Sequence, residues 1–224
     1  MTFSLAGLCD RTGMIGIAVS SSSPAVAARC AHVRAGVAAA ASQNVTDPRL
    51  GPQMLDLIAS GVPAGEAVAR VAAKAPHAAH RQLTAVDRNG GTGVYCGELT
   101  LGLYAFAEEP SAVAAGNLLG DAGVPSAMVE AFRAFPDAHI GDRLVAALAA
   151  GVAAGGEAGP VRSAGVLVCD RESWPVTDLR VDWDDEPIER LAQLWQLWKP
   201  QADAYVTRAL NPEAAPRYGV PGDE

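Results

Sequence analysis

The segments Thr2–Leu8 (TFSLAGL) and Met14–Val19 (MIGIAV) decide the fold of this chain. Both are largely apolar at odd and even positions alike, and Asp10-Arg11-Thr12-Gly13 between them has the composition of a turn. A strand with one face in water would alternate polar and apolar residues, whereas these strands require cover on both faces. We therefore expect the chain to begin with two short strands, joined by a turn and buried on both sides.

Beyond these two strands, groups of helices and groups of strands follow one another along the chain. Further strands are predicted over Gly36–Ala41, Gln82–Val86, Thr92–Cys96, Ser111–Gly116, Ala164–Cys169 and Asp178–Val181. Helices are predicted from Asp47-Pro48 to Gly61 with Asp47 as N-cap, from Pro63 to Pro76, near Ser126–Phe135 and Gly141–Gly151, and over Ile188–Leu210 with an interruption at Pro200.

This order lacks the strict strand–helix alternation of a doubly wound fold. It predicts an α+β fold, a four-layer αββα sandwich in which two stacked, mostly antiparallel sheets are covered by helices. We expect one domain over residues 1–211 and a loose C-terminal tail over residues 212–224. Trp195 and Trp198 lie on one stripe of the last helix, where core or subunit-interface packing is expected, and the size of this stripe favours a homo-oligomer.

The composition narrows the classes of partner. The net charge is −8, from 17 basic and 25 acidic residues, with no basic run or stripe. Such a chain repels phosphate backbones, so nucleic acid is not an expected partner. No stretch reaches the length of uninterrupted apolar residues that a transmembrane helix needs, and the start lacks the pattern of a secretory signal. We predict a cytoplasmic protein with a small-molecule substrate and no membrane partner.

Metal and cofactor motifs are absent from the sequence. His77 and His80 have a spacing that could hold a metal on a helix turn, but no carboxylate is nearby and Pro76 weakens the helix. The cysteines form no CxxC pair, and we expect them to be reduced and structural: Cys9, Cys30, Cys96 and Cys169. We predict no metal and no cofactor.

Thr2 is the candidate nucleophile. Removal of Met1 is expected because the second residue is small, and Thr2 would then carry a hydroxyl and a free α-amine on one residue. A free α-amine titrates at about 7.7–8.0, so it can act as general base near neutral pH without a histidine. Many chains begin with Met-Thr for no catalytic reason, so the dipeptide alone identifies no enzyme.

A set of short motifs, spread from Met1 to about Trp198, is specific in its order and spacing. The motifs are Met1-Thr2-Phe3-Ser4, Asp10-Arg11-Thr12-Gly13, Gly16–Ser20, Arg34-Ala35-Gly36-Val37, Ser42-Gln43, Gly51-Pro52, His80-Arg81-Gln82, Gly116-Asn117, Arg162-Ser163-Ala164 and Asp178–Asp182. Together they resemble the bacterial domain-of-unknown-function family 1028. This resemblance implies the fold of N-terminal-nucleophile (Ntn) hydrolases, the αββα class that includes proteasome β subunits, and agrees with the sandwich predicted from strand patterning.

The resemblance also implies catalytic roles for residues besides Thr2. Proteasome-like relatives keep a lysine near the base of the third strand, but Lys74 and Lys199 are the only lysines here and neither is suitably placed. Arg34 occupies the matching region, where its fixed charge would favour the neutral amine or pair with Asp178 or Asp182.

Two further candidates complete the implied catalytic set. Asn117 could donate its amide to an oxyanion, or be a turn asparagine. Ser163 matches a hydroxyl that hydrogen-bonds the terminal amine.

Four residues are candidates for binding a substrate. Ser21 belongs to the polar run Ser20–Ser23, which could offer hydroxyl and backbone donors to a ligand. Gln43, His80 and Arg162 could bind a carboxylate-bearing substrate, or be polar groups at strand ends. The leading hypothesis is an amidohydrolase that cleaves a small amide or peptide-like metabolite.

Two alternatives remain open. One is a non-catalytic small-molecule binding or assembly module on the same fold. The other is a cysteine hydrolase that uses Cys30 and His32, which would share one face of a strand but lack an evident third residue.

Overall fold

A computed structural model, which describes residues 1–222, shows an α+β fold with two antiparallel sheets and helices. The strands are β1 (Thr2–Leu8), β2 (Ile15–Ser21), β3 (Ala31–Arg34), β4 (Ala38–Asn44), β5 (Arg81–Asp87), β6 (Thr92–Cys96), β7 (Ala105–Glu109), β8 (Ala112–Asn117), β9 (Ser163–Cys169) and β10 (Pro175–Val181). The helices are α1 (Ala27–Cys30), α2 (Leu50–Ala59), α3 (Ala64–Lys74), α4 (Val124–Ala134), α5 (Ile140–Ala153), α6 (Pro187–Trp198) and α7 (Ala202–Leu210).

The first strand lies in the middle of the larger sheet. The six-stranded sheet has the order β10-β9-β2-β1-β8-β7, and the four-stranded sheet has the order β3-β4-β5-β6. Neighbouring strands pair antiparallel, including β1 with β2, β5 with β6 and β9 with β10. All residues of β1 and β2 are buried, which confirms that the two first strands are covered on both faces.

Three apolar clusters explain this burial. One combines inward residues of both sheets, such as Ile17 of β2 with Ala39 and Ala41 of β4. A second packs the opposite face of the six-stranded sheet against α4, α5 and α6. The third packs the opposite face of the four-stranded sheet against α2 and α3. Because alanines predominate on β4, little side-chain volume separates the two sheets there.

Some elements differ from the prediction. Strand β4 extends through Asn44, so Ser42 and Gln43 are part of the sheet. Asp47 is not an N-cap: α2 begins at Leu50, and Asp47 instead accepts a hydrogen bond from the Arg49 backbone N–H at 3.1 Å. The short elements α1, β3 and β7 were not predicted, and β7 is an edge strand with an exposed, partly acidic face that lacks a strong apolar signal.

The C-terminal tryptophans pack within the chain. Trp195 is 1% exposed and donates to Asp142 at 2.8 Å, while Trp198 donates to Thr177 at 3.1 Å and stacks on Tyr205. Core packing of Trp195 is therefore confirmed, and the stripe no longer argues for association. A homo-oligomer stays a prediction.

The end of the chain keeps some contacts with α7. The Arg208 guanidinium lies 3.9 Å from the ring centroid of Tyr218 and donates to the Pro216 carbonyl. The last part of the predicted loose tail, residues 223–224, lies outside the described residues. Among residues 1–222, no helix has the length and apolarity needed to cross a membrane.

The close approach of the sheets predicts a specific sensitivity to side-chain volume. Ala41→Leu would add three carbons between the sheets at a position that is 0% exposed. Overpacking of this kind costs about 1–3 kcal/mol, so we expect a lower free energy of unfolding in urea. The control is Ala146→Leu on the exposed face of α5, which should change the free energy of unfolding by less than about 0.5 kcal/mol. Equal effects of both substitutions would contradict the packing described above.

Candidate active site

The candidate site lies where β1 begins, at one end of the space between the sheets. Thr2 and Asn117 are directly opposite each other in the β1–β8 pair and are 5% and 0% exposed. Directly paired residues of an antiparallel ladder point to the same face, with Cβ atoms about 4.5–5.5 Å apart. The structure therefore brings the predicted nucleophile and the predicted oxyanion donor together.

Ser21 is the hydroxyl residue that reaches Thr2. Thr2 Oγ1 lies 3.4 Å from Ser21 Oγ, and both hydroxyls donate to the carbonyl oxygen of Met1. Ser21 Oγ also accepts the Ser23 backbone N–H at 3.0 Å. Ser21 was predicted as a substrate-binding residue, and the structure places it against the predicted nucleophile itself.

A chain of buried polar side chains links the two sheets below this point. Ser4 Oγ donates to Gln43 Oε1 at 2.7 Å, and Gln43 Nε2 donates to Gln82 Oε1 at 2.9 Å. Gln43 also donates to the Ala115 carbonyl at 3.1 Å. Gln43 thus lies near the site but is committed to internal hydrogen bonds, so it holds the sheets in register.

The chain of hydrogen bonds ends at Asn117. Asn117 Nδ2 donates to Gln82 Oε1 at 3.0 Å, and Gln82 Nε2 donates to the Gly116 carbonyl at 3.0 Å. The Asn117 Oδ1 atom is buried and has no hydrogen-bond partner among the described residues. A buried amide oxygen without a partner is unfavourable, and this one belongs to the residue paired with Thr2 in the β1–β8 ladder.

Glu157 is a buried charged residue whose carboxylate interacts with the charge at the start of the chain. It is 7% exposed, and both of its carboxylate oxygens accept the Ser22 backbone N–H, at 3.2 and 3.1 Å. Burial raises the pKa of Glu157 to about 7, against the opposing effects of the N-terminal ammonium charge and the Ser22 hydrogen bonds. Within residues 1–222, no side-chain cation forms an ion pair with it.

Ser163 and Arg162 lie beside the site without touching Thr2. Ser163 is two strands from Thr2, about 10 Å away at the usual strand spacing. Its hydroxyl donates to the Ser23 carbonyl at 2.6 Å and accepts the Val26 N–H at 3.2 Å, so it anchors this loop and does not reach the chain start. The Arg162 guanidinium pairs with Asp185, and the Arg162 backbone N–H donates to Ser21 O at 2.8 Å.

Arg34 is not brought to the site. It pairs with Ala38 on β4, whereas Gln43 marks the site end of that strand, five positions or about 17 Å away. Its guanidinium forms an exposed ion pair with Asp56 at 2.8 Å, so the expected partners Asp178 and Asp182 were wrong. At this distance and exposure, its charge is poorly placed to tune an amine at Thr2.

His80 lies at the site end of the four-stranded sheet, just before β5. Its carbonyl accepts from Asn44 Nδ2 at 2.6 Å and from the Val45 N–H at 3.3 Å. Its backbone position is therefore fixed two residues from Gln82, and the role of its ring in binding a substrate stays a prediction.

The structure does not support the cysteine-hydrolase alternative. Cys30 ends α1 and His32 lies on β3, so they do not share a face of one strand. The Cys30 thiol contacts Thr46 Oγ1 at 3.4 Å, and burial raises its pKa, which disfavours the thiolate. The His32 ring packs against Gly51, and its Nε2 atom is buried without a partner among the described residues.

Other chemistry is not evident in the described residues. Residues 1–222 contain no cluster of three or more His, Cys, Asp or Glu side chains that could hold a metal. The four cysteines are free thiols. A surface cavity of about 760 Å³ lies between β7 and α4, where Phe106 and Arg133 contribute to its lining, and it contains none of the predicted site residues.

Two residues of the site, Glu157 and Gln82, were not predicted from the sequence. Glu157 is a lone acidic residue in the glycine-rich segment Gly155–Gly159, which reads as a flexible loop. Gln82 was visible only as part of His80-Arg81-Gln82, and its position between Gln43 and Asn117 depends on how the two sheets stack. Its burial is what distinguishes Glu157 from other acidic residues in loops, and burial at this position cannot be predicted from the sequence.

Comparisons with known proteins give one family and several similar structures. Residues 2–191 match the family of unknown function DUF1028. The crystal structure of a Silicibacter pomeroyi protein, described as a DUF1028 member, has 33% sequence identity and a TM-score of 0.81, over 88% of each chain.

More distant structures are two Anbu (ancestral β-subunit) proteins. The Yersinia bercovieri protein has 9% identity and a TM-score of 0.39, over 91% of this chain and 97% of that one. The Hyphomicrobium protein, a selenomethionine-labelled mutant, has 12% identity and a TM-score of 0.39, over 92% and 98%. No curated protein matches the sequence.

The buried carboxylate predicts a pH-dependent effect on stability. The pKa of Glu157 rises from 4.5 to about 7 on folding. When the pH exceeds both values, this rise lowers the free energy of unfolding by about 3 kcal/mol at most, which is the cost of the buried charge. The folded state binds this proton more tightly, so the cost is absent below pH 4.5 and is complete above about pH 7. Glu157→Gln should therefore raise the free energy of unfolding at pH 8 more than at pH 4.5, as measured by urea titration.

Glu130→Gln, on the exposed face of α4, is the control for the loss of one negative charge. Its effect on the free energy of unfolding should be small at both pH values. If Glu157→Gln were equally neutral at pH 8, Glu157 would not be a buried, uncompensated carboxylate.

Proposed function

This chain belongs to the family of unknown function DUF1028, and we propose that it is an N-terminal-nucleophile amidohydrolase that cleaves a small amide or peptide-like metabolite. The observation that carries the proposal is the position of Thr2. Its hydroxyl lies at a buried, polar strand end, 3.4 Å from Ser21 Oγ and opposite Asn117. A threonine there gains a general base on the same residue as soon as Met1 is removed.

The stacking of the sheets supports assignment to the Ntn-hydrolase type of four-layer αββα sandwich. Residues of both sheets share one apolar cluster, and helices pack against both outer faces. Thr2 begins β1, which lies between β2 and β8 in the larger sheet, at one end of the space between the sheets.

The reaction proceeds in two balanced steps. Thr2 Oγ1 attacks the amide carbon and loses its proton to the Thr2 amine, which passes the proton to the leaving nitrogen as the C–N bond breaks. Water then attacks the resulting ester, gives up a proton to the amine, and releases the carboxylic acid as the threonine hydroxyl is restored. Asn117 and backbone N–H groups stabilise the oxyanion in both steps.

Ser21 orients the hydroxyl of Thr2, and the Asn117 Oδ1 atom is available to accept from the new amine. Arg34 and Ser163 have no direct part, because one lies at the far end of its sheet and the other is committed to the Ser23–Val26 loop. His80 and Arg162 lie nearer the surface, where they can contact the distal part of a substrate.

Substitution of Thr2 tests the proposal. Both proteins are prepared without Met1, as confirmed by intact mass. On any amide that the unsubstituted protein cleaves, Thr2→Ala should lower kcat/KM by at least about a thousandfold. Thr2→Ser keeps a hydroxyl and an amine and should retain measurable turnover. A panel of chromogenic amides, assayed for release of the amine, supplies the measurement.

Thr12→Ala provides the matched control, since Thr12 is an exposed turn residue. It should leave kcat/KM unchanged. Turnover that survives Thr2→Ala would assign the activity to another residue. Absence of turnover across the panel, together with saturable binding of amides, would favour a binding module on the same fold.

A further inference from the structure

The space at the start of the chain is occupied by Met1 itself. The Met1 carbonyl accepts hydrogen bonds from Thr2 Oγ1 and Ser21 Oγ, and the Met1 side chain lies over Gly159. A Cβ added at Gly159 would lie 3.7 Å from Met1 Cε. Removal of Met1 would therefore leave an empty space. At one end, the hydroxyls of Thr2 and Ser21 could donate to a carbonyl oxygen, and at the other end there is room for a side chain over Gly159.

This space fits the acyl group that a substrate would place on Thr2 Oγ1. Met1 is an aminoacyl group bonded to the nitrogen of Thr2. Moving this group from the nitrogen to Oγ1 of the same residue would give the aminoacyl ester that the proposed hydrolase forms. Since both atoms belong to Thr2, the two acyl groups occupy neighbouring positions, and Met1 marks where the acyl part of a substrate binds.

Glu157 supplies a negative charge that interacts with the Met1 ammonium group. Its carboxylate is 7% exposed and accepts the Ser22 backbone N–H at 3.2 and 3.1 Å, and Ser22 is the one residue that donates hydrogen bonds to it among the described residues. Its charge interacts with that of the Met1 ammonium, although the two groups form no ion pair within 4.0 Å. The Arg162 guanidinium is paired with Asp185.

A buried carboxylate without a cationic partner is costly, and a bound ammonium group would remove this cost. We propose that the mature site takes amides of α-amino acids with a free α-ammonium group, which Glu157 binds while the side chain lies over Gly159. This inference rests on the proposed function, because it assigns the acyl side of that reaction. The step releases a free amino acid and an amine, with atoms balanced as described above for Thr2.

Binding to a catalytically silent chain tests this inference separately from turnover. The chain is Thr2→Ala without Met1, confirmed by intact mass, and the probes are L-methioninamide and N-acetyl-L-methioninamide at pH 7.5 in calorimetry. We expect L-methioninamide to bind at least about tenfold more tightly than its acetylated analogue, because acetylation removes the charge. Adding Glu157→Gln should abolish this preference, whereas adding Glu130→Gln should preserve it.

The outcomes distinguish the two proposals. Equal or tighter binding of the acetylated probe would overturn the inference, even if the protein hydrolyses acylated amides in a Thr2-dependent way. A preference for the free amine that survives Glu157→Gln would overturn the assignment to Glu157. A Glu157-dependent preference without any hydrolysis by the unsubstituted chain would support the binding site and count against the hydrolase. The comparison of the two probes needs no substitution at Glu157, so it holds if that variant fails to fold.

Discussion

The hydrogen-bonded chain from Ser4 through Gln43 and Gln82 to Asn117 is the constraint on which the rest of the structure depends. All four side chains are 0% exposed, with Ser4 and Asn117 on the six-stranded sheet and Gln43 and Gln82 on the four-stranded sheet. Each polar atom buried there must find its partner or lose free energy. Sliding one sheet over the other would break several of these bonds together, so the network fixes the relative register of the sheets. The β1–β8 ladder places Asn117 opposite Thr2, and the network holds the Asn117 side chain through Gln82.

The site is asymmetric in its electrostatics. Neutral amides and hydroxyls lie around Thr2, while the carboxylate of Glu157 lies on the side from which the chain begins. Neutral dipoles stabilise a developing oxyanion without attracting a permanent charge. A carboxylate at the same point would repel that oxyanion, so its separation from Asn117 matters. In the proposed reaction, the loop that carries Glu157 would hold a cation, and the strand that carries Asn117 would hold an anion.

Sequence patterns predict the interior of this fold better than its edges. Strands β1, β2, β5, β6, β9 and β10 were anticipated because apolar residues on both faces, or a clear turn, mark them. Strand β7 escaped because an edge strand with one wet face has a weaker signal. Thr2, Ser21 and Asn117 were identified individually, and the structure brings them together. Arg34 and Ser163 were misplaced relative to Thr2, because strand order and register decide distances that chain position does not encode.

The alanines of β4 and β8 have a consequence for how this architecture can diversify. Small side chains let the sheets approach closely, and neighbouring positions in both are fully buried. An insertion or a larger residue in that floor would displace the polar network and the strand ends above it. Side chains can change more easily at exposed positions around the rim, such as Pro24, Ala158 and Pro160, because these positions lie outside the packed floor. Under this constraint, the rim is the part of the architecture that can vary while the packed floor and its polar network stay the same.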